Sequence, residues 1–174
     1  HLLNMINDIL DLSKIESGRI DVEAEPFSLH NLVQDLESMF QVESDRKNLG
    51  FRVAMHSGVP DYMYGDDSKV RQILINLIGN AIKYTEEGSV TVEVNPSEIS
   101  GSGSSANNEG ETLKLRFTIA DTGIGISEEA MNKIFEPFEQ VEKKYRQGTG
   151  LGLAICKRLV DLINGELKVD SEKG

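Results

Sequence analysis

The chain has 174 residues, about one domain with a short appendage, and 39% hydrophobic against 27% charged residues provide for a real core. Eighteen Lys and Arg against 29 Asp and Glu give a net charge of -11, which excludes a general nucleic-acid or anionic-membrane surface, so any anionic ligand must be caught locally. The single cysteine, Cys156, excludes an internal disulfide and a cysteine metal cluster and points to a reducing compartment, while no apolar run is long enough for a membrane span or a signal peptide.

From Leu2 to Ser17, apolar residues recur at helical spacing through Ile6, Ile9, Leu10, Leu12 and Ile15, and Gly18 provides the stop. That stripe is broader than one docking face usually needs, which favours partners on two sides, as in a bundle or dimer; a single helix packed on its own domain is the alternative. Ile20 to Phe27 predicts a short strand or extended linker ended by Pro26. Ser28 then caps a second helix, whose stripe of Leu29, Leu32, Val33, Leu36, Met39, Phe40 and Val42 runs toward a turn at Asn48-Leu49-Gly50. Phe51 to Met55 and Tyr62 to Tyr64 predict strands flanking a Gly58/Pro60 turn, and a third helix starts at Asp66 or Asp67 and runs to about Lys83. Ser89 to Val94 and Leu113 to Ala120 predict two more strands, with Asn95-Pro96 opening a polar Gly/Ser-rich hairpin extension between them. A short helix over Ser127 to Phe135, a charged span over Glu136 to Gln147, a last helix ending at Ile163 and a strand over Leu167 to Val169 complete the chain. This order predicts an α+β layered sandwich, a mixed sheet packed on helices, rather than a doubly wound parallel sheet.

Three segments hold chemistry. In the third helix, Asn76, Asn80 and Lys83 stand at i, i+4 and i+7, one line beside the stripe of Ile73, Leu74, Leu77, Ile78, Ala81 and Ile82. Asparagine is a poor helix-interior residue, so two of them one turn apart suggest a duty other than helix stability. Amide oxygens suit Mg2+, and Lys83 suits a phosphate as a point charge; a solvated polar edge is the alternative. Asp121-Thr-Gly123-Ile-Gly125-Ile126 follows a strand, with a carboxylate able to accept from an exocyclic amine and glycines that let backbone approach a flat ligand, although Asp-Thr-Gly is also a common turn. Gly148-Thr149-Gly150-Leu151-Gly152 opens a long helix whose amides and dipole can receive an anion, or else it is a plain hinge. The dinucleotide fingerprint fails because Leu153 stands where glycine is required, and no Walker sequence is present. Lys143, Lys144 and Arg146, in a stretch almost devoid of core residues, read as a lid able to close on phosphates or as a solvated loop.

Taken in order, Asn76-Leu-Ile-Gly-Asn80-Ala-Ile-Lys-Tyr-Thr85, DTGIGI, Phe135-Glu-Pro-Phe138 and GTGLGLAI resemble the N, first glycine, F and second glycine boxes of sensor histidine kinases. Residues Ile6 to Glu16 also resemble the end of the dimerisation hairpin of the hybrid-type members. The resemblance implies a Bergerat-type α/β sandwich over 28–174, preceded by a hairpin helix over 1–18 and a linker or short strand over 19–27. It implies transfer of the γ-phosphoryl group of ATP to a histidine, with relay to a receiver aspartate. Asn80 would hold Mg2+, Asn76 would line the phosphate region, and Lys83 and Tyr84 would flank the nucleotide. Asp121 would take the adenine amine in a pocket shaped by Gly123, Gly125 and Ile126, with Phe135 and Phe138 of the F box nearby. Gly148, Thr149, Gly150, Leu151 and Gly152 would supply the hinge and phosphate-facing amides. Asn76, Lys83 and Arg146 would be the catalytic candidates.

The implied partners are the chain's own phosphoacceptor hairpin, a second subunit and a receiver domain, and the implied location is cytoplasmic. The acceptor histidine is expected upstream of His1, and the final strand is expected to be cut short at Gly174. The alternatives are a nucleotide-binding pseudokinase or dimerising module, and an ATP hydrolase of the same fold. The hydrolase needs a water-activating glutamate where Asn76 stands, and an amide cannot act as that base.

Overall fold

A computed structural model describes residues 2–18, 20–97, 113–139 and 149–173. In chain order the elements are α1 (Leu2–Glu16), β1 (Glu25–Ser28), α2 (Leu29–Arg46), β2 (Gly50–Met55), β3 (Tyr62–Gly65), α3 (Asp67–Tyr84), β4 (Ser89–Ser97), β5 (Lys114–Asp121), α4 (Glu128–Met131) and α5 (Gly152–Leu162). Among the described residues, no helix is long and apolar enough to cross a membrane.

Alternation builds the main sheet. Val90, Val92 and Val94 of β4 all point into the core, and β4 runs parallel to β2, with Val53 beside Val92, and antiparallel to β5, with Ile119 beside Val92. A separate antiparallel pair joins β1 to β3, with Phe27 beside Met63. The segments around Gly58 and Pro60 therefore do not form a hairpin, because β2 and β3 pair with different strands. Two prolines also lie inside strands rather than at their ends. Pro26 stands opposite Tyr64 in β1, and Pro96 stands opposite Leu115 in β4, beyond the last β2 partner at Val94. Both positions lack a ladder neighbour on one side among the described residues, which is where a missing N–H is tolerated.

The helices start where capping chemistry puts them. The Ser28 hydroxyl accepts from the Asn31 amide at 3.2 Å, and the Asp66 carboxylate accepts from the Lys69 amide at 3.1 Å. Asp66 is buried and also receives the Ser68 hydroxyl, the Glu23 amide and the Lys69 ammonium. Burial opposes its charge, but these donors outweigh burial and hold its carboxyl well below the usual carboxylate range. The Glu23 bond and the β1 ladder tie the segment read as a short strand or linker into the domain.

Two hydrophobic clusters share α3. The first lies between the sheet and α2 and α3, built from Leu29, Leu32, Leu36, Phe40, Leu74, Ile78, Ile82 and the β4 valines. The second joins α1, α3 and α5 through Leu12, Ile73, Leu151, Ile155, Leu159 and Val160. A fully buried Leu or Ile contributes about 1.5–3 kcal/mol, so each cluster clamps the helices it touches. Met39 and Val42, counted in the α2 stripe from sequence, are instead 46% and 54% exposed, because the face of α2 turned to the sheet is narrower than its apolar pattern. Leu167 to Val169 is not a strand among the described residues. Leu167 packs on the second cluster, and the Ser171 hydroxyl accepts from the Ile126 amide at 2.9 Å, so the tail is held by a loop instead of a ladder.

Candidate functional site

A cavity of about 520 Å³ opens between α3, the inner face of β5, the loop after it and the start of α5. Its polar wall is the asparagine line of α3. Asn76, Asn80 and Lys83 all line the cavity, because the buried stripe of Ile73, Leu74, Ile78, Ala81 and Ile82 fixes the rotation of the helix. The Lys83 ammonium lies 4.8 Å over the neighbouring Tyr84 ring and 3.2 Å from its hydroxyl, so lysine and ring form one half-buried unit at the cavity edge.

Asp121 ends β5 and also lines the cavity. Its Oδ1 accepts the Gly123 amide at 2.9 Å, and the Ile124 amide donates to the Tyr84 carbonyl at 3.3 Å, which fastens this loop to the end of α3. Gly123 is required by close approach: a Cβ there would lie 2.5 Å from the Tyr84 carbonyl oxygen and 2.8 Å from Asp121 Oδ1. Gly125 has φ +66, and a Cβ there would lie 1.9 Å from the Glu172 carbonyl oxygen. Gly125 and Ile126 line the cavity over a floor of Phe117, Ile119 and Ile134. Gly123 does not; its part is to let the loop close on α3.

The glycine segment before α5 supplies the third wall through Thr149, Gly150 and Gly152. Leu151 does not face the cavity. Its side chain is fully buried in the second cluster and its amide donates to the Thr149 hydroxyl at 3.1 Å, so the phosphate-facing amide expected there is occupied. Phe135 and Phe138 also lie outside the lining. Phe138 is 64% exposed, and its amide donates to the Gly150 carbonyl at 3.0 Å, so the F box holds the glycine segment through backbone rather than through its rings. Arg146, Gly148, Lys143 and Lys144 lie outside the described residues.

Behind Asn76 sits the buried thiol of Cys156, which donates to the Ile73 carbonyl at 3.7 Å. Burial pushes this thiol up to about 12, with a hydrogen bond from Asn76 pulling weakly the other way. Such a thiol packs and orients; it is not a nucleophile. Among the described residues, no group of three or more His, Cys, Asp or Glu side chains could hold a metal ion.

Sequence reasoning passed over Glu139, Lys168, Asp170 and Ser171 of the cavity wall, and with them Asp8 of α1. Its Oδ2 accepts from the Thr149 hydroxyl at 2.9 Å across 141 positions of sequence. The available signal was helical spacing, since Asp8 shares a face with Leu12 and Ile15, which reach the second cluster.

The family model described as histidine kinase-, DNA gyrase B- and HSP90-like ATPase matches residues 65–174. The hybrid signal transduction protein dokA of Dictyostelium discoideum is 37% identical over 98% of this chain and 10% of its own length. The sensor histidine kinase GacS of Pseudomonas protegens is 36% identical over 99% of this chain and 18% of its own. Among solved structures, full-length ShkA in complex with AMPPNP covers all of this chain with 34% of its own, at a TM-score of 0.81 and 32% identity. The chain thus spans about a tenth to a fifth of the curated relatives it matches.

Proposed function

The chain belongs to the histidine kinase-, DNA gyrase B- and HSP90-like ATPase family, and from that premise we propose that its cavity binds Mg-ATP for transfer of the γ-phosphoryl group to a histidine imidazole. The observation that carries this reading is the convergence of the Asn76, Asn80 and Lys83 line with the Asp121 carboxylate on one cavity. That pairing joins a phosphate-facing wall to an acceptor for an exocyclic amine.

Asp121 accepts from the adenine amine while the Gly123 amide holds its other oxygen in place. Lys83 opposes phosphate charge, and the α5 amides from Gly152 on, beyond the occupied Leu151 amide, serve the same phosphates. Asn80, with Asn76 beside it, would hold a magnesium ion. The donor set fits, since neutral amides suit an ion that brings phosphate oxygens and waters as its remaining ligands. When bound, Mg2+ supplies neutralisation of the charge on the transferring group. In the transfer the bond from the γ-phosphorus to the ADP oxygen breaks, a bond to an imidazole nitrogen forms, and ADP leaves as the anion. Asn76 offers no carboxylate to activate water, which favours an external nucleophile over hydrolysis.

The imidazole comes from a phosphoacceptor hairpin, and a second subunit and a receiver domain complete the relay. Ile6, Ile9 and Leu10 of α1 are each nearly half exposed, which supports packing of that face in a helical bundle.

Calorimetric titration with a non-hydrolysable ATP analogue, with and without Mg2+ and with the GTP counterpart, tests the reading. Asp121→Ala should erase the preference for adenine, and Asn80→Ala should weaken Mg-dependent binding far more than metal-free binding. An unchanged adenine preference, or equal loss with and without metal, refutes the corresponding role.

A further inference from the structure

The helices α2 and α3 close in different ways. α2 closes on itself: the Leu49 amide donates to the Ser44 carbonyl at 3.0 Å and the Asn48 amide to the Asp45 carbonyl at 3.1 Å, around an Asn48 with φ +56. α3 has no such left-handed residue, since its C-cap, Thr85, is extended at φ -98 and Glu86 does not take positive φ. The last carbonyls of a helix must be satisfied from somewhere. That of Ala81 accepts from the Thr85 amide at 3.1 Å and the Thr85 hydroxyl at 2.7 Å. Those of Ile82 and Lys83 accept from the Lys47 ammonium at 2.7 and 3.1 Å, and the Thr85 carbonyl lies 3.5 Å from the same nitrogen. That of Tyr84 accepts from the Ile124 amide, in the loop that follows Asp121.

The end of α3 is thus shared between one cation and the loop read as holding adenine. Lys47 is the C-cap residue of α2, so the turn that closes α2 also fixes its backbone, and three N–H donors meet three converging carbonyls. The cation also stands at the negative end of the α3 dipole. Lys47 does not line the cavity, whereas Lys83, Tyr84 and Ile124 do. We infer that Lys47 is a positioning residue for nucleotide selection: by closing the last turn of α3 it fixes the Tyr84 carbonyl on which the Asp121 loop is seated, and so sets where the carboxylate meets the base. The inference rests on the nucleotide reading of the cavity. Without the ammonium the Ile82 and Lys83 carbonyls lose this donor, the last turn loosens, and the seat of the loop loosens with it.

The test titrates the full chain with AMPPNP and its guanine counterpart, with and without Mg2+, beside a thermal melt of each variant. Lys47→Met keeps the apolar stem and removes the donors. It should weaken AMPPNP about ten-fold and the guanine counterpart, which draws on Lys83 but not on Asp121, about two-fold, with the gain from Mg2+ unchanged. Lys47→Arg, which offers donors to the same carbonyls, should recover the adenine preference to within about two-fold. In Gly123→Ala, where the same joint is already displaced, Lys47→Met should remove no further preference. Equal loss of both nucleotides with a lower melt makes Lys47 a plain helix cap and overturns the inference, as does a fully additive loss in the Gly123→Ala chain. If Lys47→Met fails to fold, Lys47→Gln carries the same comparison, and an unchanged adenine preference there overturns the inference. Preference lost in Asp121→Ala but kept in Lys47→Met leaves the nucleotide reading standing and removes only the role of Lys47. Absence of AMPPNP binding by the folded, unsubstituted chain removes the reading, and this role with it.

Discussion

Gly123→Ala probes the joint between the adenine-reading carboxylate and the asparagine helix. The added Cβ would sit 2.5 Å from the Tyr84 carbonyl oxygen, while contacts below 3.0 Å are essentially never seen, so the loop or the end of α3 must retreat by at least about 0.5 Å. The same Cβ would lie 2.8 Å from Asp121 Oδ1, the oxygen that now accepts the Gly123 amide, so the carboxylate must turn as well. Overpacking of this kind costs about 1–3 kcal/mol, with roughly 2–4 °C of melting temperature lost per kcal/mol in a chain of this size. The cost to function should be larger than the melt suggests. A hydrogen bond to a charged acceptor contributes about 1.5–3 kcal/mol, so losing the adenine contact should weaken the ATP analogue roughly ten- to hundred-fold and leave the GTP analogue nearly unchanged. Paired calorimetric titrations and a thermal melt on the same samples measure both quantities. An ATP affinity equal to that of the unsubstituted chain, in protein whose melt has dropped, would refute the argument that this glycine sets the position of Asp121.

Three further outcomes follow from the buried titratable groups. Asp66 has a folded pKa below its ordinary value of 3.8, so the stability it contributes is complete above that value and is lost as pH falls through the folded one. Urea melts should show stability declining below about pH 5, and in Asp66→Asn that acid-side decline should be shallower; an identical slope would remove Asp66 from the acid response. Asp66→Ala strands Lys69 and uncaps α3, at a cost of about 3–5 kcal/mol, and a loss below 1 kcal/mol in the same melts would contradict the buried pair. Cys156, raised from 9.0 to about 12, should alkylate about a thousand-fold more slowly than an unshifted thiol, with the native protein resisting iodoacetamide until denaturant is added; rapid native labelling would contradict its burial.

Much of this architecture was legible because period and capping are local. Ser28 and Asp66 announce α2 and α3, and the valines of β4 and the Leu115, Phe117 and Ile119 alternation of β5 announce the sheet. The asparagine line could be read as one face since a helix has only one rotation that buries Ile78 and Ile82. Pairing was not legible, because nothing in Gly50–Met55 or Tyr62–Gly65 specifies which strand each will choose. Pro26 and Pro96 misled for a related reason: whether a proline ends a strand depends on whether a neighbour asks for its N–H, and the neighbour is a property of topology. Leu151 was assigned to phosphates because its motif opens a helix, yet the adjacent Thr149 side chain claims its amide first. Asp8 stayed hidden since its partner is 141 positions away.

The division of α3 between two hydrophobic clusters gives the cavity one immovable jaw. Ile73 is gripped from the α5 side while Leu74, Ile78 and Ile82 are gripped from the sheet, so the helix can neither roll nor slide without opening one compartment or the other. Asn76, Asn80 and Lys83 are thus mounted on an anvil, and accommodation of a ligand must come from the opposite side, where the Gly150 carbonyl is held by the Phe138 amide and the Thr149 hydroxyl by the Leu151 amide. Substitutions under the fixed jaw should therefore alter how well the protein holds together, while substitutions on the moving one should alter how quickly a ligand enters and leaves.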